Sequence, residues 1–402
     1  IGPKHTRTSL QRPAVVWLKD SPREANMSGV CGPDSVAEVK PGRVLPDDKP
    51  NSVMVVAKTW FCKHEMVLPD GEASAETLEI RKLIGRGKVP YPMPVGKWSV
   101  YKSKSWKPKP DDVIVLTFHK TGTTFCQQIC HQLRTGAPAD GSSTKFDEIT
   151  QVCPWIDFAW EVDQDLNVDQ LASPGGVVAS PRIFKSHARL NVVQEGCKYL
   201  VTIRDPVKSL VSLYNFFVQK NAAVPFLPPQ WLTSVDEFAK CPVWMIDSVW
   251  GGTIWEYFID FWLCRKQPSV LVLAFEDLMD DPKEAAGPPA KELKKIAAFM
   301  GVECDDALVG RVKELSHKKW MEVNDSKFSE GWFYDEQCRL ERYDRPPLPP
   351  VAKVTSGAAK VVPSEETVKL MQAQWEKLVT PKLGFKTYAE MLAALREENN
   401  AN

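Results

Sequence analysis

The segment Val113-Ile-Val-Leu-Thr-Phe-His-Lys120-Thr-Gly-Thr-Thr124 carries the strongest local signal in this chain. Its first half is an apolar run of strand length, a pattern typical of a strand that is covered on both faces. A polar turn with Gly122 follows, and then Phe125, Ile129 and Leu133 recur at helical spacing. The segment therefore predicts a buried strand, a turn and a helix in succession.

Three further apolar runs of the same kind occur along the chain, at Arg182–Phe184, Lys198–Ile203 and Val270–Phe275. Each of them leads into a polar turn that carries charge. Strands that alternate with helices and end in polar residues are typical of an open parallel sheet. The sequence therefore predicts an α/β fold with its chemistry at the carboxyl ends of the strands.

The start of the chain has a different character, because it is rich in proline, glycine and charge and shows little periodicity. A strand over Val53–Phe61 and a short helix over Ser74–Ile84 are predicted before a connector rich in proline, lysine and tryptophan. We predict a domain boundary near Trp106. Residues 1–105 would then be a partly irregular N-terminal extension, and residues 106–402 the main domain.

The composition of the chain narrows its possible partners. Of its 402 residues, 51 are Lys or Arg and 51 are Asp or Glu. This balance gives no overall positive field for a nucleic acid, so any anion must be held by a local site. The 10 cysteines show no CxxC or Cys/His spacing, which predicts no metal and favours reduced thiols in the cytoplasm. The apolar runs are too short to cross a bilayer, and a targeting segment lost before Ile1 stays open.

The turn after the first predicted strand is a candidate anion site. Gly122 allows backbone N–H groups to face an anion at a helix N-terminus, where the helix dipole also favours negative charge. Lys120 adds a positive charge, and Thr121, Thr123 and Thr124 add hydroxyl donors. For this turn alone, a Thr-capped helix with a surface lysine stays an open alternative. The ATP and GTP loop pattern GxxxxGK[ST] is not matched, because here the lysine precedes the single glycine.

Two more strand ends carry residues suited to phosphate or proton chemistry. Arg204 ends one predicted strand, and Ser212 lies about two helical turns further on, a pair suited to clamping phosphate. The segment Pro181-Arg-Ile-Phe-Lys185-Ser-His187 contains the end of another predicted strand. Its histidine can take a proton at neutral pH, because the ordinary pKa of histidine is near ~6.5. Taken alone, a surface Arg204–Asp205 pair and a hydrogen-bonded polar histidine are the alternatives.

These segments, in this order, resemble the cytosolic-type sulfotransferase family, which uses 3′-phosphoadenosine 5′-phosphosulfate (PAPS). That family shows Tyr-Pro-Lys-Ser-Gly-Thr-Thr-Trp where this chain has Phe-His-Lys120-Thr-Gly-Thr-Thr-Phe125. Its Pro-Arg-x-x-Lys-x-His block matches Pro181–His187, and its Arg-Asn-Pro-Lys-Asp block corresponds to Arg204–Ser209, with Ser212 after it. Its Tyr-Glu-Asp-Leu segment corresponds to Phe275-Glu-Asp-Leu. The likeness covers roughly the region from Trp106 to Phe385.

The resemblance implies a single P-loop-like three-layer domain, in which helices flank a central parallel sheet, and a reaction without a metal. It implies that His187 is the base that deprotonates the acceptor, while Lys120 and Lys185 stabilise the charge on the leaving phosphate and the sulfuryl group. The implied product is 3′,5′-ADP. The nucleotide-binding positions implied by the family are Lys120, Thr121, Gly122, Thr123, Thr124, Phe125, Arg204, Ser212, Phe275, Ser316, Met321, Lys353 and Gly357.

Several positions depart from the family pattern. Phe125 replaces a tryptophan and loses its indole N–H, and Phe275 replaces a tyrosine, so a hydroxyl contact to the nucleotide is missing. Ala352-Lys-Val stands where the family has Arg-Lys-Gly, which removes an arginine from the 3′-phosphate site. The family's short dimer motif has no good match at Lys360–Lys369, so the oligomeric state stays open.

The acceptor is the part of the function that the sequence specifies least. Several of the 14 tryptophans fall in Trp231–Trp262, where the family builds its acceptor pocket, and aromatic walls suit flat or apolar molecules. We predict sulfuryl transfer from PAPS to a hydroxyl or amine of a small-molecule acceptor, with no nucleic-acid or membrane partner. A nucleotide-dependent phosphotransferase and a non-catalytic PAPS-binding protein are the alternatives.

Overall fold

Four parallel strands form the sheet at the centre of the fold. They are β1 (Val113–Thr117), β2 (Ile183–Ser186), β3 (Lys198–Ile203) and β4 (Val270–Ala274). Their order across the sheet is β2-β1-β3-β4, and all three pairings are parallel. The carboxyl ends of the strands therefore lie along one edge of the sheet, as the sequence predicted.

The computed structural model describes residues 74–85, 106–173, 176, 178–223, 227–245, 252–279, 287–341, 347, 349–353 and 361–401. The predicted strand Val53–Phe61 and the predicted ligand Gly357 lie outside the described residues. Within the described part of the chain, no helix is both long enough and apolar enough to cross a membrane.

The sheet is buried on both faces because its side chains alternate between two hydrophobic cores. Ile114 and Leu116 of β1 pack into one core, whereas Val113 and Val115 pack into the other. All four side chains are 0% exposed. Burial of one such side chain stabilises the fold by about 1.5–3 kcal/mol. This two-sided burial explains why the strands appear in the sequence as apolar runs.

Helices cover both faces of the sheet. They are α1 (Ala75–Ile84), α2 (Thr123–Thr135), α3 (Pro206–Ala223), α4 (Val235–Ala239), α5 (Pro242–Met245), α6 (Ile254–Cys264), α7 (Phe275–Leu278), α8 (Ala290–Met300), α9 (Asp306–Ser316), α10 (Lys318–Val323), α11 (Gly331–Leu340), α12 (Glu365–Leu378), α13 (Thr380–Leu383) and α14 (Tyr388–Ala401). Short 3-10 helices cover Ser142–Thr144, Ile149–Gln151, Ile156–Val162, Pro229–Leu232 and Asp325–Lys327. One core contains side chains of α2, α8 and α9, and the other contains side chains of α3, α6, α12 and α14. The predicted α/β fold, with helices on both faces of a parallel sheet, is confirmed.

The boundaries of two strands differ from the sequence predictions, and β2 ends at Ser186, two residues beyond the predicted Phe184. The strand predicted from Arg182–Phe184 begins at Ile183, and the Arg182 guanidinium forms a buried ion pair with Asp112, at 2.6 Å from Nη2 to Oδ2. Phe275 begins α7 instead of ending β4. The helix predicted after the first turn ends as expected, with Gly136 in the left-handed conformation at its C-cap.

Helix α1 falls in the predicted N-terminal extension, yet it contacts the sheet domain. Its predicted start is confirmed, because the Ser74 hydroxyl accepts a hydrogen bond in the first turn. The Arg81 guanidinium pairs with the Glu195 carboxylate at 2.5 Å. The domain boundary near Trp106 stays a prediction.

Candidate functional site

The ends of three neighbouring strands bring the predicted site residues to one edge of the sheet. Leu116 of β1 is in register with Ser186 at the end of β2. Thr117 is in register with Thr202 near the end of β3. The loops that follow β1, β2 and β3 therefore leave the sheet side by side. These strand ends and loops carry the candidate site, which we define as Lys120, Lys185, His187 and Arg204.

The turn between β1 and α2 presents backbone N–H groups at the start of a helix. Lys120 has a φ of 63° and Gly122 a φ of 118°, so both residues have positive φ. Gly122 is the N-cap of α2 and has no side chain that could cap the helix. The first N–H groups of a helix have no partner within the helix, and the dipole makes this end positive. The start of α2 is therefore suited to an anion.

The threonine hydroxyls of this turn fall into two groups. Thr121 Oγ1 donates to the Phe118 carbonyl at 2.8 Å, and Thr123 Oγ1 lies 2.5 Å from Thr117 Oγ1. These two side chains are buried, and their hydroxyls fasten the turn to the sheet. Thr124 is half-buried. Its hydroxyl and the backbone amides are the groups best placed to meet an anion.

Phe275 forms the floor of the turn. A Cβ placed on Gly122 would lie 2.6 Å from Phe275 Cδ2. The Arg204 guanidinium lies over the same ring, 4.4 Å from its centroid, and Nη1 donates to the Lys120 carbonyl at 2.6 Å. Its Nε is buried and has no hydrogen-bond partner among the described residues. Arg204 therefore stabilises the turn through its Nη1 hydrogen bond, and its Nε–H remains a donor for a ligand.

Replacing Gly122 with Ala is expected to destabilise the protein and to weaken anion binding. The new methyl would press on the Phe275 ring at 2.6 Å, and a φ of 118° is strained for a residue with a Cβ. We expect the free energy of unfolding to fall by about 1–3 kcal/mol. Denaturant unfolding, with and without 3′,5′-ADP, measures both effects.

Gly136→Ala is the matched control for this substitution, because it places the same change at the other end of α2. Gly136 also has a positive φ, 72°, but nothing lies within 4 Å of its added Cβ. It is expected to reduce stability while leaving the affinity for 3′,5′-ADP unchanged. Wild-type affinity in Gly122→Ala would contradict a role of this turn in anion binding.

His187 follows β2, and its surroundings select one tautomer. Its Nδ1 lies 2.9 Å from the Thr117 carbonyl oxygen, which can only accept, so Nδ1 carries the hydrogen. In the neutral ring the lone pair is then on Nε2, which is what a general base needs. The backbone of His187 donates to Asp157 at 3.2 Å and accepts from the Tyr257 hydroxyl at 2.5 Å. These hydrogen bonds fix the position of the ring.

A second histidine, His119, lies beside this ring. The two ring centroids are 4.3 Å apart. Burial holds the pKa of His187 well below its ordinary value, and the charges of His119 and Lys185 lower it further. Burial also brings the pKa of His119 to about 3. The site therefore has two neutral imidazoles at neutral pH. Sequence reasoning missed His119, although it stands beside Lys120 where the family has a proline.

Lys120 and Lys185 both have strongly lowered pKa values. Desolvation, followed by the charge of Lys353, brings the pKa of each to about 7. Lys185 Nζ lies 3.4 Å from the centroid of the Trp155 ring, and Lys120 Nζ lies 5.0 Å from that of Phe216. A bound anion would raise both pKa values, because a nearby opposite charge favours the ammonium form. The electrostatics of the site therefore match an anionic ligand.

Glu330 joins three lysines in a cluster that sequence reasoning missed. Its carboxylate oxygens lie 3.7 Å from Lys185 Nζ, 3.0 Å from Lys220 Nζ and 2.5 Å from Lys353 Nζ. We call these four residues the Glu330 cluster. The sequence assigned Lys353 to nucleotide binding, and the structure brings it next to Lys185 through this shared carboxylate.

The remaining predicted ligands lie in different surroundings. Ser316 ends α9, and its buried Oγ has no hydrogen-bond partner among the described residues. Met321 of α10 is buried in a hydrophobic core. Ser212 of α3 and Phe125 of α2 are half-buried. Ser316 thus retains a polar group for a ligand, and the assignment of all four residues stays a prediction.

The Trp155 ring beside His187 comes from a part of the chain that the sequence did not single out. Trp244 and Trp255, from the tryptophan-rich stretch, are 0% exposed and lie in the core. The Trp155 ring instead lies 5.5 Å from the His187 ring and 5.7 Å from the Phe333 ring, between centroids. Trp155 and Phe333 are also buried and share a small core cluster, so Trp155 differs from Trp244 and Trp255 in its contact with the His187 ring and not in its exposure.

Comparison with known proteins identifies one family. The family model described as "Sulfotransferase domain" matches residues 110–331, more than half of the 402 residues. Sulfotransferase 1C2 from Homo sapiens is 27% identical over 242 residues, which cover 59% of this chain and 74% of that protein. Sulfotransferase 1E1 from Bos taurus is 26% identical over 228 residues, which cover 56% of this chain and 69% of that protein.

A solved structure shares the fold. It is retinol dehydratase in complex with androsterone and the inactive cofactor PAP, with a TM-score of 0.50 and 16% sequence identity. The match covers 75% of this chain and 94% of that chain. The predicted family and fold are both confirmed by these comparisons.

Proposed function

The chain belongs to the sulfotransferase family, and we propose that it moves the sulfuryl group of PAPS in line onto a hydroxyl or amine of a small-molecule acceptor. In this proposal His187 is the base, and Lys120 and Lys185 stabilise the charge that develops during transfer. The observation that carries the proposal is that adjacent parallel strands and the loops after them bring the residues Lys120, Lys185, His187 and Arg204 to one edge of the sheet.

The described residues fit a nucleotide that carries two separated anionic groups. The N–H groups at the start of α2, together with Lys120, suit the 5′-phosphosulfate. Arg204 and Ser212 suit the 3′-phosphate, and the buried Arg204 Nε supplies a donor that has no partner among the described residues. PAPS would supply the activated sulfuryl group. A fixed ammonium at the leaving phosphate oxygen stabilises the transition state more than the ground state, because charge grows there as the S–O bond breaks.

His187 would take the proton of the acceptor on Nε2, because Nδ1 carries a hydrogen that it donates to the Thr117 carbonyl. The Trp155 ring beside it suits a flat or apolar acceptor. The retinol dehydratase structure with the same fold contains androsterone and PAP, which supports a small apolar molecule beside the nucleotide.

Selective stabilisation by 3′,5′-ADP tests the nucleotide part of this proposal. At 100 times its dissociation constant, the ligand is expected to raise the free energy of unfolding by about 2.7 kcal/mol, seen as a higher melting temperature. We expect smaller shifts with 5′-ADP and with ATP plus magnesium, because neither carries the 3′-phosphate that Arg204 would hold. Stabilisation by ATP plus magnesium without stabilisation by 3′,5′-ADP would support the phosphotransferase alternative.

The acceptor class is tested with PAPS and a panel of phenols, steroid alcohols and aryl amines. Transfer to at least one of these small molecules is expected. Transfer restricted to proteins or polysaccharides would contradict this part of the proposal.

A further inference from the structure

Three ammonium groups share one carboxylate in the Glu330 cluster, and they come from distant parts of the chain. Lys185 belongs to β2, Lys220 lies near the end of α3, and Lys353 follows α11. The side chains of Glu330, Lys185 and Lys220 are 3% exposed, and that of Lys353 is 10% exposed. Ion pairs on an exposed surface contribute little, but here the charges are shielded from water and interact strongly.

The position of the Glu330 carboxylate is fixed by the backbone around it. Glu330 has a φ of 66°, in the left-handed region, directly before α11. The residue before it, Ser329, accepts a hydrogen bond from the Val351 N–H at 2.9 Å. The Lys353 N–H donates to Asp325 Oδ1 at 3.1 Å. The segment around Lys353 is therefore hydrogen-bonded to the segment that precedes Glu330.

We propose that Glu330 is a positioning residue of the active site, whose carboxylate holds the side chains of Lys185 and Lys353 side by side next to His187. This inference rests on the function proposed above, since it assigns Glu330 a role through Lys185. The cluster leaves two more cations than anions among its four members. The carboxylate thus brings the lysine side chains together near the proposed position of the sulfuryl group, and the cluster keeps a net positive charge.

The directions of the pKa shifts agree with this arrangement. Burial alone would raise the pKa of Glu330, but Lys353, Lys220 and Lys185 together hold it well below its ordinary value. Desolvation and Lys353 lower the pKa of Lys185 to about 7, and Glu330 opposes this shift. Loss of the Glu330 charge would therefore lower the pKa of Lys185 further.

Other titratable groups also face Lys185. Glu148 and Asp157 raise its pKa, whereas Lys353 lowers it. Lys185 in turn lowers the pKa values of His119 and His187. Burial raises the pKa of Glu148 to about 7, so this carboxyl titrates in the same pH range. All of these groups remain in a Glu330 variant, so a difference between its pH profile and that of the wild type reports on Glu330.

Glu330→Gln tests the proposal through the pH dependence of kcat, measured as 3′,5′-ADP release from PAPS with 2-naphthol as the acceptor. A reaction that needs charged Lys185 slows as pH rises through the pKa of that group. In Glu330→Gln the fall in kcat is expected to begin at least one pH unit lower, which corresponds to a roughly tenfold greater loss at the alkaline end. Gln keeps the size and backbone preference of Glu, so the change is mainly one of charge.

Glu161→Gln is the matched control. Glu161 is another fully buried carboxylate, and it accepts a hydrogen bond at 2.5 Å from Gln337 of α11, the helix that Glu330 directly precedes. Its replacement is expected to lower stability and to leave the shape of the pH profile unchanged. A Glu330→Gln profile that is scaled down equally at every pH would mean a purely structural role and would overturn the inference.

Lys353→Met provides a second test if Glu330→Gln does not fold. It removes a cation that lowers the pKa of Lys185 and leaves Glu330 with fewer partners. The alkaline fall in kcat is then expected at higher pH, opposite to the shift in Glu330→Gln. An alkaline fall at the same pH as in the wild type would contradict the proposal.

If the wild type transfers no sulfuryl group from PAPS, the proposed function fails. If the wild type is active but neither variant changes the pH at which kcat falls, only the inference about Glu330 fails.

Discussion

Replacing His187 with Ala is expected to lower kcat by about 10²–10⁴-fold, the usual contribution of a positioned general base. The hydrogen bond from Nδ1 to the Thr117 carbonyl, at 2.9 Å, directs the lone pair to Nε2. Alanine removes the group that would accept the proton of the acceptor. The measurement is the rate of 3′,5′-ADP release from PAPS at saturating 2-naphthol.

The affinity for 3′,5′-ADP separates a loss of catalysis from a loss of folding. It is expected to be unchanged in His187→Ala, because the phosphate ligands we propose, Lys120 and Arg204, are retained. His119→Gln is the informative companion, since it alters the ring that lies 4.3 Å away and keeps His187. A smaller loss is expected there. A larger loss in His119→Gln than in His187→Ala would transfer the role of base to His119.

The acid side of the pH profile gives a further check on the His187 assignment. A base stops working when pH falls through its pKa and it becomes protonated. The pKa of His187 is held well below 6.5, first by burial and then by His119 and Lys185. We therefore expect kcat to stay level as the pH is lowered from 6.5 to about 5.5. A fall in kcat centred near pH 6.5 would mean that this ring is not desolvated in the working enzyme.

The core of the fold could be predicted from the sequence because the information is local. A strand buried on both faces needs apolar residues at consecutive positions, and Val113–Leu116 meets that need in four adjacent residues. Gly122 marks the turn because its backbone has positive φ and a Cβ at this position would clash with the Phe275 ring. Parallel pairing then places the ends of different strands together without further sequence information.

The Glu330 cluster could not be predicted in this way because its members are distant in sequence. Along the chain, Glu330 is one of many carboxylates, and Lys220 is a polar residue near the end of a helix. Tertiary packing buries both side chains and brings them to 3.0 Å. The tryptophans pose a similar problem: Trp244 in the core and Trp155 beside His187 are equally apolar in sequence. Only the packing places the Trp155 ring against the His187 ring.

Replacing Lys120 with Met is expected to lower kcat/KM by about 10²–10³-fold, the typical loss when one fixed charge-stabilising group is removed from an active site. Methionine fills similar space without charge, and the Lys120 carbonyl stays available to the Arg204 Nη1 donor, which lies 2.6 Å away. The exposed Lys208→Met on α3 is the control for the loss of one positive charge and is expected to change kcat/KM less than twofold. A Lys120→Met enzyme with weaker 3′,5′-ADP binding but normal kcat would show that Lys120 binds the nucleotide without stabilising the transition state.

Because the pKa of Lys120 is about 7, a dianion that binds beside it should draw a proton from solvent. Calorimetric titration of 3′,5′-ADP near pH 7.5, in buffers of different ionisation enthalpy, is therefore expected to show proton uptake in the wild type and less uptake in Lys120→Met.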